Sequence, residues 1–222
     1  MAPTIRENEV RIDGGQVILE GSLALPEGAG SVVLFAHGSG SSRHSPRNRL
    51  VAGSLQEEGF GTLLFDLLTR QEDELYENRF NIQLLTERLK AATSWVKNQP
   101  GIGKLLVGYF GASTGAAAAL MAAADLGPGI GAVVSRGGRP DLAMETLGRV
   151  QAPTLLIVGE YDEFVIELNS RALEKLSAFK ELVIVPKATH LFEEPGALEQ
   201  VAVEAAGWFK RHLVRVERRS AA

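Results

Sequence analysis

The sequence contains no cysteine, which removes disulfide scaffolds, thiolate catalysis and cysteine-ligated metals together. It also lacks a charge excess. With a net charge of −4 and a pI of about 5.7, neither nucleic acid nor an anionic membrane is an expected partner. No run approaches the ~20 apolar residues that a membrane span needs. The first residues show no basic region followed by an apolar run, so no signal peptide is expected and the cytoplasm is the default location. No internal repeat, linker or low-complexity segment interrupts the chain, which is read as one domain over residues 1–222. Phosphate-cradle motifs are missing as well. Gly38-x-Gly40 has no third glycine at the dinucleotide spacing, because position 43 is arginine, and no G-x-x-x-x-G-K-[ST] occurs.

What is present is an ordinary globular composition, 45% hydrophobic and 23% charged over 222 residues, enough for one α/β domain with a full core. The chain is organised around residues 104–126. Leu105 to Phe110 is a short apolar run bounded by glycine, which predicts a strand buried on both faces. Residues 116–124 are almost all alanine and predict a tightly packed helix. Between them lies Gly111-Ala112-Ser113-Thr114-Gly115, a G-x-S-x-G. In a strand–turn–helix context this pattern is a nucleophile elbow, and a Cβ at either glycine would press on neighbouring backbone. Taken alone the pentapeptide is equally a small-residue loop that packs a helix on a sheet.

The other predicted elements alternate. Residues 9–13 and 16–25 flank Asp13-Gly14-Gly15 as an antiparallel hairpin. Strands follow at Ser31 to Ala36, Gly61 to Leu67, Ile130 to Val134, Pro153 to Val158 and Leu182 to Val185. Helices are predicted over 46–58 after Ser45, over 80–97, over about 140–148, along Val165 to Phe179 and from Leu198 to Phe209. Residues 68–78 read as an acidic loop, and the Arg-rich stretch 211–219 as the solvated end of the last helix. Strand–helix alternation calls for a mostly parallel sheet of about eight strands with helices on both faces. No insertion is long enough for a lid domain.

In a parallel sheet, ligands bind outside the carboxyl ends of the strands. Ser113, Asp162 and His190 each follow a strand, and their order is Ser, Asp, His. A serine hydroxyl is a poor nucleophile until a neutral imidazole takes its proton, and a carboxylate must hold that imidazole in one tautomer. Of the four histidines, His37 beside Gly38 suits structural hydrogen bonds, His44 lies in a polar loop and His212 at a helix end. Glu160 and Asp66 compete with Asp162 for the acid's role. The oxyanion hole is expected from the N–H groups of Thr114 and Ser39. Arg136 ends a strand at the same edge, where its guanidinium could clamp a substrate carboxylate; the alternative is an ion pair with Asp141 or Glu145. No metal spacing is visible among the histidines and carboxylates, and no cofactor is expected.

These residues together resemble the α/β-hydrolases, and within them the small dienelactone-hydrolase-like group. The resemblance runs over nearly the whole chain: His37-Gly38, Gly111-Ala112-Ser113-Thr114-Gly115, Gly159-x-x-Asp162-x-x-Val165 and Ala188-Thr189-His190-x-Phe192. It implies the α/β-hydrolase fold and a Ser-His-Asp triad. True dienelactone hydrolases use a cysteine nucleophile, so this set looks more like a serine carboxylesterase. The expectation is hydrolysis of small esters, thioesters or lactones through an acyl-Ser113 intermediate. A peptidase or acyltransferase with the same triad, and a catalytically silent binding protein of this fold, are the alternatives. The partner is then a small-molecule ester; assembly as a homodimer is left open.

Overall fold

Ser31–Ala36 (β3) and Leu106–Ala112 (β5) pair in parallel along the middle of an eight-stranded sheet, and the other elements are laid around that pair. The computed structural model describes residues 3–214. The remaining strands are β1 (Ile5–Asp13), β2 (Ile18–Pro26), β4 (Gly61–Phe65), β6 (Ala132–Arg136), β7 (Thr154–Gly159) and β8 (Lys180–Val185). Their order is β1-β2-β4-β3-β5-β6-β7-β8. The first pairing and that of β2 with β4 are antiparallel, and every pairing from β4 to β8 is parallel. The helices are α1 (Pro46–Glu57), α2 (Arg70–Asp73), α3 (Ile82–Asn98), α4 (Thr114–Leu126), α5 (Glu163–Lys175) and α6 (Ala197–His212). This is the α/β-hydrolase architecture.

The two-residue period of a strand explains how the sheet is covered. Val32, Leu34 and Ala36 of β3 join the core that includes Leu89 and Val96 of α3 and the alanines of α4. Val33 and Phe35 point the other way, to a core built with Val51 and Leu55 of α1 and with Val201, Trp208 and Phe209 of α6. Both faces of the central strands are thereby dry, which is why these runs are almost purely apolar. Ala116 to Ala119 are fully buried, and their small side chains let α4 lie close to the sheet and to α3. Burying a side chain as large as Trp208, which is inaccessible to solvent, stabilises the fold by roughly 1.5–3 kcal/mol.

Several local expectations differ from the structure, three of them in the type or end of a helical segment. The predicted loop 68–78 contains α2 and a 3₁₀ turn, Tyr76–Phe80. Thr69 Oγ1 accepts the Glu72 N–H while Glu72 Oε2 accepts the Thr69 N–H, a capping box that starts a helix in a polar stretch. The helix predicted near 140–148 is two 3₁₀ turns, Pro140–Ala143 and Leu147–Arg149. Helix α5 stops at Lys175 and does not reach Phe179, whose ring instead stacks on Trp208 with centroids 5.7 Å apart. Arg211 lies in the last turn of α6, and the part of the Arg-rich stretch beyond residue 214 lies outside the described residues. Among the described residues, no helix is long and apolar enough to cross a membrane.

Candidate active site

The turn from β5 into α4 is tightly built. Ser113 has φ 49° and ψ −119°, a conformation that costs a non-glycine residue of order 1–3 kcal/mol. Its neighbours impose it. A Cβ on Gly115 would fall 2.1 Å from the carbonyl oxygen of Ala36, and one on Gly111 would fall 2.5 Å from the Cα of Ala116. The helix therefore starts hard against the end of β3. The Ser113 N–H donates to the Arg136 carbonyl at 3.2 Å, and the Ser113 carbonyl accepts from Ala116 and Arg139 N–H groups, each at 3.1 Å. Thr114 is the first residue of α4, where an N–H has no partner within the helix.

The loops after β7 and β8 lock together. Tyr161 N–H donates to the Ala188 carbonyl at 2.9 Å, Glu160 N–H to the Val185 carbonyl at 3.0 Å, and Glu160 Oε2 accepts the Lys187 N–H at 2.6 Å. This register puts Asp162 Oδ2 2.6 Å from His190 Nδ1. The Asp162 carboxylate is mostly shielded from water, while the His190 ring is partly exposed at the cavity. The two rival acids are engaged elsewhere. Glu160 holds the histidine loop, and Asp66 accepts both the backbone N–H and the guanidinium of Arg43.

Ser39, Ser113, Arg136 and His190 line one cavity of about 220 Å³, with Arg47 and Leu191 at its wall. It adjoins a wider trough of about 500 Å³ bounded by Ser39, Arg47, Asp73 and Arg79. A hollow of about 420 Å³ behind His37 is lined by Arg43 and Asp66 and does not include Ser113 or His190. Arg136 does not pair with Asp141, which binds Arg139 instead. Among the described residues no carboxylate forms an ion pair with Arg136; its guanidinium lies 5.8 Å from the centroid of the Phe192 ring. Burial, reinforced by the nearby charge of Arg47, pulls the pKa of Arg136 down to about 10.

Sequence reasoning did not single out three supports. Arg47 is read there only as part of a helix start. Gly137, at φ 51°, fits beneath His190: a Cβ there would lie 3.4 Å from His190 Cε1 and 3.2 Å from its carbonyl oxygen. Asn169 is fully buried in α5 and donates to the carbonyls of Gly138 and Val165, bracing the loop after β6. The one sequence signal for it is a polar residue on the apolar side of an amphipathic helix.

His37 anchors the loop that carries Ser39. Its Nε2 accepts the Leu67 N–H at 3.1 Å, and its Nδ1–H donates to the Gly38 carbonyl at 2.9 Å. That arrangement requires the neutral ring, and burial lowers the pKa of His37 from 6.5. Because the folded value lies below the unfolded one, the stability it confers is complete above pH 6.5 and is lost as the pH falls toward the folded value. Urea denaturation at about pH 7.5 and about pH 5 should show a larger acid loss in the wild type than in His37→Asn. Equal losses would remove His37 as the source.

The chain belongs to the dienelactone hydrolase family, whose description matches residues 19–213. A crystal structure of a dienelactone hydrolase from Anabaena variabilis is 55% identical and superposes with a TM-score of 0.92, covering 96% of this chain and all of that one. An esterase of Pyrococcus furiosus, 20% identical with a TM-score of 0.76 and covering 95% of this chain and 92% of that one, shares the fold. A curated relative from Mycobacterium tuberculosis is 57% identical over 211 residues, 95% of this chain but 48% of its own length, and carries the name phosphoribosyl transferase. The chain thus spans about half the length of the curated relatives it matches.

Proposed function

We propose that this hydrolase cleaves small carboxylic esters, thioesters or lactones through an acyl-Ser113 intermediate. The 2.6 Å contact between His190 Nδ1 and Asp162 Oδ2, in the cavity that Ser113 also lines, is the observation that carries it. Ser113 Oγ attacks the carbonyl carbon as its proton passes to His190 Nε2. The carbonyl electrons move to oxygen, which the N–H groups of Thr114 and Ser39 receive. The carbon–oxygen or carbon–sulfur bond to the leaving group then breaks, and the alcohol or thiol departs with the proton from His190. Water repeats the sequence, giving its proton to His190. The acid leaves and Ser113 recovers its hydrogen. Asp162 stays ionised, fixes the ring's tautomer and stabilises the imidazolium.

The mycobacterial relatives carry a transferase name, and this chain spans 48% of their length, so that name need not describe the matched half. The matched half supplies a nucleophile, a base and an acid in the order of acyl-transfer chemistry.

Among the described residues no inserted lid domain covers this cavity. The connection between β6 and β7 holds two short 3₁₀ turns, and residues 68–78 are acidic. A small open cavity of about 220 Å³ favours short acyl groups on soluble esters. In a p-nitrophenyl ester series followed through the solubility limit, the rate should rise hyperbolically, be greatest for short chains and show no jump at the limit. Sharp activation there, or a preference for long chains, would contradict this.

A further inference from the structure

Resting on that serine-hydrolase reading, we infer that the natural substrate is an acyl ester whose leaving alcohol carries a phosphate monoester, held by Arg136 and Arg47. The first observation is a cation without an anion. Arg136 is only 7% exposed, its Nε has no acceptor and no carboxylate pairs with it among the described residues. Buried arginines are otherwise paired, because an uncompensated charge out of water is costly. No acidic side chain lines the cavity at all among the described residues.

The second observation is that a second guanidinium shares the wall. Arg47 is close enough for its charge to act on Arg136, which places two cations beside one small space. Arg47 Nη1 is bound to Glu193, but that carboxylate is largely in solvent and the Nε of Arg47 is buried without an acceptor. Ser39, Ser41 and Ser45 line the same space. Two guanidinium forks and three hydroxyls offer more donors than the two oxygens of a carboxylate can use. A phosphate monoester brings three oxygens and a charge of about −1.5 to −2, which answers both cations.

The position of Arg136 selects the alcohol side of the ester. Gly137, the next residue, lies against the His190 ring, and the Arg136 guanidinium sits over Phe192, two residues beyond that histidine. Arg136 is thus on the histidine side of Ser113, where the leaving oxygen collects its proton.

The test uses three acetates of similar size: 2-acetoxyethyl phosphate, 3-acetoxypropanoate and 2-methoxyethyl acetate, with acetate release as the readout. The wild-type kcat/KM should be highest for the phosphate, by about 30-fold or more over the neutral ester, as expected for a charge-assisted bidentate contact. In Arg136→Met that ratio should collapse toward one, and Arg136→Lys should recover only part of it, since an ammonium lacks the fork. Arg47→Gln, on a partly exposed helix turn, should lower the same ratio and serves if Arg136→Met does not fold. Equal kcat/KM for the phosphate and neutral esters, or a preference for the carboxylate, would overturn the inference. Fluorophosphonate labelling of Ser113 run alongside separates the two levels. If labelling occurs without phosphate preference, the substrate inference falls and the hydrolase stands. If there is neither labelling nor turnover of any of the three, both fall.

Discussion

Ser113→Ala is expected to leave a folded protein whose esterase turnover is lower by on the order of 10⁴ or more, with only binding and oxyanion effects remaining. On the proposed mechanism the loss should be this large because, among the described residues lining the cavity, Ser113 alone stands at the elbow beside His190. The other hydroxyls there, on Ser39, Ser41 and Ser45, belong to the loop and helix start after β3 and not to the elbow. The fold should survive, since the strained φ of 49° is imposed by the backbone contacts of Gly111 and Gly115 and not by the hydroxyl. Retention of more than a few per cent of activity in a purified variant would show that another group attacks.

Asp162→Asn should be the next most damaging change, with kcat falling by on the order of 10³–10⁴. The carboxylate at 2.6 Å can only accept, so it holds the proton on Nδ1 and leaves Nε2 free to take one from Ser113. An asparagine amide can donate to Nδ1, which moves the ring's proton to Nε2 and removes the base without removing the histidine. Glu160→Gln is the matched comparison. Glu160 accepts the Lys187 N–H and, among the described residues, does not bond the His190 ring, so its effect should be far smaller. Kinetics on p-nitrophenyl acetate would decide, and a loss below about tenfold in Asp162→Asn, or a larger one in Glu160→Gln, would move the acid's role to Glu160.

How far the molecule could be read from sequence depends on the range of the interactions involved. The central strands were legible because they are buried on both faces and so are apolar throughout, as in Ser31–Ala36. The elbow was legible because its geometry tolerates only glycine at 111 and 115, a constraint that appears in the chain itself. The first hairpin strand was read four residues short, since β1 is mostly exposed and its polar residues give no core pattern. Helix α2 was missed because its cap, Thr69 with Glu72, sits in an acidic stretch without an apolar face. Arg136 could be placed at the sheet edge from sequence, but its lack of an ion pair could not. Asp141 is five residues away and looks available until the chain is folded and Arg139 takes it. Arg47 was illegible for a related reason: it reaches the cavity only because α1 begins beside the loop that follows β3.

The most direct measurement is the intact mass of the protein after treatment with a fluorophosphonate, with peptide mapping of any adduct. One adduct is expected, on Ser113, formed within minutes in the wild type, much more slowly in Asp162→Asn and not at all in Ser113→Ala. A folded wild-type protein that takes up no label, or that carries it on any other residue, would contradict the assignment of this chain as a serine hydrolase acting through Ser113.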